Sequence, residues 1–227
     1  MINSKEILSL KTAKIYSILS PMIFFTFTGL SIYLSPWFKW TENWISELGG
    51  SIGETPIWSA NGLSSLFFNF GIIFTGLFGI LFVFSIRKCG IFRNKIGRVG
   101  FLLLLIDMFA LFGIGIFPIT LGELHYYFSI VFFGLIPFII LILGYQIGKI
   151  FGKKWYFIIT IVCGISMCSV GAFLYLPDLS IYSRAISEVI AFCSIAVLFE
   201  IIVLEISPRN HIFKDISYGS FRLKNTS

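Results

Sequence analysis

Six apolar runs of about twenty residues, separated by short polar stretches, set the pattern of this chain. An α-helix needs roughly 20 apolar residues to cross hydrocarbon about 30 Å thick. The pattern therefore predicts transmembrane helices over 14–35, 58–86, 99–118, 126–148, 156–176 and 185–206. The fold class is all-α, a polytopic membrane bundle of six helices occupying residues 1–206. A longer loop spans 36–57, and a short basic tail, 207–227, follows the last run.

Composition supports this reading, because 57% of residues are hydrophobic and only 12% are charged, against about a quarter charged in soluble domains. The formal charge of +6 does not indicate nucleic acid, since the basic residues sit in short clusters between apolar runs, as orientation signals do. Lys5, Lys11 and Lys14 precede the first run in the manner of a signal peptide. That run continues to Tyr33 with no small-x-small cleavage site, so a retained first helix is expected. Of the 17 Lys and Arg residues, only Lys39 and Arg184 fall on the side opposite the other fifteen. This asymmetry predicts a cell-membrane protein with both termini in the cytoplasm. Cys163, Cys168 and Cys193 lie inside apolar runs and Cys89 in a basic loop, a distribution that suits small core residues better than disulfides.

The expected outer side is acidic, with Glu42, Glu47, Glu54, Glu123 and Asp178 in its loops. Trp37, Trp40, Trp44 and Trp58 cluster there too, where amphipathic indoles suit the headgroup level. Residues 43–69 form the stretch richest in chemistry. Within it, Asn61, Ser64, Ser65 and Asn69 follow helical spacing and form a polar stripe on the second span. Such a stripe serves either interhelical hydrogen bonding or the wall of a cavity that opens outward. Asp107 lies mid-span, where an ionised carboxylate costs about 2.5–3.5 kcal/mol, so it must be paired, protonated or solvated. Asn69 or nearby Ser and Tyr hydroxyls are its expected partners. Glu200 is closer to the inner end and can snorkel.

Arg184 and Glu188 stand four apart on the last span, the spacing of a helical ion pair that also suits a guanidinium to a phosphate headgroup. His125 opens the fourth span and, with Glu47, is a candidate acid/base pair. A zinc site needs about three protein ligands, and the pattern supplies no such motif. No metal or cofactor is expected. Neither a nucleophile elbow nor a phosphate-binding glycine loop occurs.

Trp44-Ile45-Ser46-Glu47-Leu48-Gly49-Gly50 with Pro56, Asn61, Phe68-Asn69, Gly115-Ile116-Phe117-Pro118 and Gly122-Glu123-Leu124-His125 together resemble an uncharacterised prokaryotic membrane family, domain of unknown function 998. More distantly, the Ile-Ser-Glu loop, the following Pro and the later His are similar to the Frag1/DRAM/Sfk1 group of six-span proteins with lipid-handling roles. The resemblance implies a six-span fold and groups Glu47, Asn61 and His125, without supplying chemistry. The expected function is an integral membrane protein with an outward polar site that binds or modifies a lipid headgroup. Glu47 and His125 would act there as acid and base, with Asn61, Asn69, Asp107, Glu123, Arg184 and Glu188 contacting the ligand. The alternatives are a non-catalytic structural or accessory protein and a proton-coupled transporter using Asp107. Membrane lipids are the expected partners, together with a protein contact through 36–57, and no nucleic acid.

Overall fold

The computed structural model describes residues 4–50, 62–87, 90–152, 158, 160, 161, 163–165 and 184–206. Among these residues the chain is helical, with no strand. Five helices are long and apolar enough to cross a membrane. They are α1 (Ser4–Tyr33), α2 (Leu63–Ile86), α3 (Lys95–Ile116), α4 (Glu123–Phe151) and α5 (Arg184–Ile206). The remaining expected span, 156–176, falls mostly outside the described residues. Those of its positions that are described are helical, and Thr160 and Gly164 lie against Gly144 and Leu141 of α4.

Helix ends differ from the hydropathy boundaries for local reasons. α3 begins four residues before Val99 because Asn94 caps it, its side-chain oxygen accepting the Gly97 N–H at 2.7 Å. It stops at Ile116 because Pro118 restricts the residue before it to extended backbone. α4 runs on to Phe151, and Gly152 then takes a left-handed turn.

Successive helices pack side by side as antiparallel neighbours, and α5 closes the arrangement against α1 and α4. Three serines of α1 fix its register on α2. Ser9 donates to the Ser85 carbonyl, Ser20 to the Thr75 carbonyl at 3.0 Å, and Ser31 to the Ser64 carbonyl at 2.9 Å. They recur every 11 residues, close to three helical turns, so all three stand on one face. Small residues permit this close approach, which in lipid replaces the hydrophobic drive between helices. The α2–α3 contact uses glycine in the same way. A Cβ at Gly76 would meet the Phe112 backbone at 2.5 Å, and one at Gly79 would meet the Met108 sulfur at 2.4 Å.

At the bundle centre, Phe24 stacks on Phe192 and Phe82 on Phe199, tying α1 and α2 to α5. At the end carrying Lys95 and Arg98, the side-chain amides of Asn94 and Gln146 bond reciprocally at 2.9 Å, and Gln146 is fully buried. Near the opposite end, where residues 34–50 lie, α1 passes into a short connection and the 3-10 turn Ile45–Gly49. That turn buries Ile45, Leu48 and Gly49 and packs against α1, α2 and α5. It sits on the bundle as a cap.

Candidate functional site

The cap is built around a turn that cannot terminate itself. A helix leaves its first N–H groups without internal acceptors, and Trp44, at the capping position of Ile45–Gly49, makes no side-chain cap. The acceptor arrives instead from α5. Glu188 Oε2 receives the backbone N–H of Ile45 and that of Ser46, the latter at 3.3 Å, and its side chain is buried. A carboxyl thus performs, from 142 residues away along the chain, the task that Ser or Asp performs locally in most helices.

The other end of the turn is held by α2. Asn69 Nδ2 donates to the Gly49 carbonyl at 3.1 Å, and Asn69 is buried. Both glycines that follow Leu48 have a reason to be there. A Cβ on Gly49 would stand 2.6 Å from Asn69 Oδ1. Gly50 has a φ of 136°, a conformation that L side chains avoid. The consecutive pair therefore permits the approach of Asn69 and then the exit of the chain.

The polar stripe of α2 faces protein. Ser64 Oγ lies 2.8 Å from Ser31 Oγ and 2.6 Å from Ser35 Oγ, while Ser65 donates back to the Gly62 carbonyl at 3.2 Å. All four hydroxyl-bearing residues are buried. Asn61, the first member of the stripe, lies outside the described residues.

His125 is likewise occupied. Its Nδ1 stands 2.9 Å from the carbonyl of Phe117, just past the end of α3, and the residue is only 6% exposed. With the proton on Nδ1 the ring caps α3 and leaves Nε2 as its acceptor. No hydrogen bond joins His125 to Glu47, the acid expected to work beside it. Glu47 is half-buried, and its Oε2 accepts from Asn43 Nδ2 at 2.6 Å. Glu123 is exposed in the first turn of α4, where a negative charge complements the helix dipole. Lys39 and Glu42 form an exposed ion pair at 3.0 Å, an arrangement worth about 0–1 kcal/mol. The side chain of Arg184 lies outside the described residues. The turn Ile119–Leu121 packs on the cap, and it carries Thr120, whose buried hydroxyl has no partner among the described residues.

Of the site residues named from sequence, His125 holds the end of α3, Asn61 and the Arg184 side chain lie outside the described residues, and the other five separate into three groups. Glu188 and Asn69 meet on the cap backbone, where each bonds main-chain groups of the turn. Glu47 and Glu123 remain at the surface. Asp107 is remote from the cap, fully buried, and both its carboxyl oxygens lack partners among the described residues. The expectation that Asn69 or a nearby hydroxyl would satisfy it is not met, because the Asn69 amide is directed to Gly49. Among the described residues no group of three His, Cys, Asp or Glu side chains is placed to hold a metal.

A family model described as protein of unknown function (DUF998) matches residues 18–204, from within α1 nearly to the end of α5. The chain belongs to the DUF998 family. The match takes in the cap, both of its anchors and Asp107, so these features lie inside the family's own segment. No curated protein and no solved structure matches the chain. With several apolar helices of spanning length, it is an integral, multi-pass membrane protein.

Proposed function

We propose that this protein binds lipid headgroups at an outward-facing cap, without catalysing a reaction on them. The observation that carries the reading is the division of labour at the cap. Glu188 and Asn69, buried within it, hold backbone, and its surface is acidic and aromatic. Glu42, Glu47 and Glu123 are exposed or half-buried, and the described positive group beside them, Lys39, is already paired with Glu42. Trp37 and Trp40 are 38% and 45% exposed on the same segment, as suits indoles at headgroup level. Negative charge beside an aromatic belt favours a headgroup that carries an ammonium over an anionic one.

Binding is favoured over modification because a general base must reach the proton it removes, and His125 is buried and not hydrogen-bonded to Glu47, which is held by Asn43. The test is native mass spectrometry of protein released from bilayers of equal phosphatidylethanolamine and phosphatidylglycerol. The intact protein should retain the ethanolamine lipid in excess, and Glu47→Gln should reduce that excess at least several-fold while remaining folded. Retention of neither lipid, or of the anionic one in excess, refutes this reading. Retention of neither lipid favours a structural, accessory role, to which the hydrogen bonds of Glu188, Asn69 and Ser64 already lend support.

A further inference from the structure

A groove runs beneath the cap, between two of the helices that carry it. The turn Ile45–Gly49 packs on α1 and α5, and α5 anchors it through Glu188. One helical turn beyond Glu188 comes Phe192, and from there to Phe199 helix α5 forms one wall of the groove. The other wall is α1 from Ser20 to Phe25. Thr75 of α2, with Met108 and Leu111 of α3, closes the floor, and all three are buried.

The lining offers no donor to a polar ligand. Its side-chain hydroxyls are those of Ser20 and Thr75, and both are engaged by backbone. Ser20 donates to the Thr75 carbonyl at 3.0 Å, and Thr75 donates to the Gly71 carbonyl at 2.7 Å. Every other side chain in the lining is apolar. The groove is open on its lipid side, where Phe25 is 46% exposed and the small side chains of Pro21 and Ala196 are half-buried. Its enclosed space is about 20 Å³, against about 310 Å³ with the open mouth included, so a ligand lies along this groove and is not enclosed by it.

Depth decides what can enter. Pro21 and Ile195 stand at the middle of the apolar spans Ser9–Tyr33 and Ala185–Ile206. At about 1.5 Å per residue, the wall on α5 runs from roughly 6 Å to roughly 16 Å beyond Glu188. One leaflet contributes half of the hydrocarbon, about 15 Å of some 30 Å. The groove therefore lies at the depth of acyl chains whose headgroups are level with the cap.

We propose that this groove seats one acyl chain of a bilayer phospholipid. Resting on the headgroup reading above, the chain belongs to the lipid held at the cap, whose ammonium meets the acidic surface while the chain descends between α1 and α5. Moving a chain from bulk lipid into the groove removes no apolar surface from water, so its seat depends on close packing against rings such as Phe25 and Phe192. Selectivity comes from the headgroup. Ala196 is the residue on which the fit turns, because its methyl group leaves space that a larger side chain would fill.

The test is photo-crosslinking in nanodiscs with phosphatidylethanolamine that carries a diazirine midway along one chain, the labelled peptides being read by mass spectrometry. Lipid that merely surrounds the bundle reaches Phe109 of α3 and Phe138 of α4, which are exposed. The parent should label 20–25 and 192–199 several-fold more than the segments around those two residues. Ala196→Phe should fill the groove and bring its labelling down to theirs, with an unchanged midpoint of thermal unfolding. Equal labelling of groove and surroundings in the parent overturns the proposal, as does groove labelling that the filled variant retains. If Ala196→Phe fails to fold, Ala196→Leu is read against the same two outcomes. Phosphatidylglycerol with the same labelled chain separates this inference from the reading of the cap. Groove labelling by both lipids alike supports the acyl seat and refutes the preference for ethanolamine, whereas ethanolamine lipid retained in excess without groove labelling overturns the seat and leaves the cap reading standing.

Discussion

The two ends of one argument about buried polarity stand about half a helix apart in this protein. At the cap, Glu188, Asn69, Ser64, Ser31 and His125 are all buried, and each has a backbone or hydroxyl partner. At mid-bundle, Asp107 is equally buried and its oxygens have none among the described residues. The first arrangement is how a membrane protein places irregular backbone near lipid, where each unsatisfied N–H or C=O costs several kcal/mol. The second is unexplained by architecture. Polar density is therefore a poor guide to chemistry here, and an unmatched group is the better one.

This contrast is broken most severely by removing the acceptor that caps the turn. Glu188→Ala leaves two backbone N–H groups without it, at about 1–3 kcal/mol each. A net loss of roughly 2–4 kcal/mol is expected, read as a lower midpoint of thermal unfolding in detergent. Glu188→Gln retains an oxygen that accepts both N–H groups and should lose less than half as much. A smaller loss is expected from Gly49→Ala. Its methyl group would stand 2.6 Å from Asn69 Oδ1, and overpacking of this kind costs about 1–3 kcal/mol. If Asn69→Ala is combined with it, the double variant should lose less than the sum of the singles, because the clash and the bond involve the same side chain. Smallest of all is Ser20→Ala, which removes one interhelical hydrogen bond worth about 0.6 kcal/mol. If Ser20→Ala proves as damaging as Glu188→Ala, the cap is no special anchor and the contrast between the regions collapses.

Much of the fold was legible because the bilayer imposes a length that hydropathy reports directly. Five of the expected spans coincide with helices, displaced at their ends by caps such as Asn94 and stops such as Pro118. The polar residues that meet at the cap stood out in the sequence, but what they touch did not. Ile-Ser-Glu drew attention to Glu47, whereas the carboxyl that does the holding is Glu188, and nothing in a linear pattern joins residues 142 apart. Asn69 stood out as a polar residue in a greasy helix, but its partner is a backbone carbonyl, and sequence shows no backbone. The serines of α1 are the opposite case. Their spacing of 11 residues was present in the sequence, but serines in an apolar run carry no charge to attract notice. Asp107 was conspicuous from the start, and the structure sharpens the question by withholding the partners that its neighbours on α2 were expected to provide.

The central claim is that α5 reaches across and caps the turn Ile45–Gly49. Hydrogen–deuterium exchange of the protein in nanodiscs measures it most directly, read at the amides of Ile45 and Ser46. Slow exchange of both in the parent is predicted, with protection lost at those amides in Glu188→Ala while the centres of α2 and α3 stay protected. Unchanged protection at Ile45 and Ser46 in that variant would contradict the account, because the turn would then be held by something other than the Glu188 carboxyl.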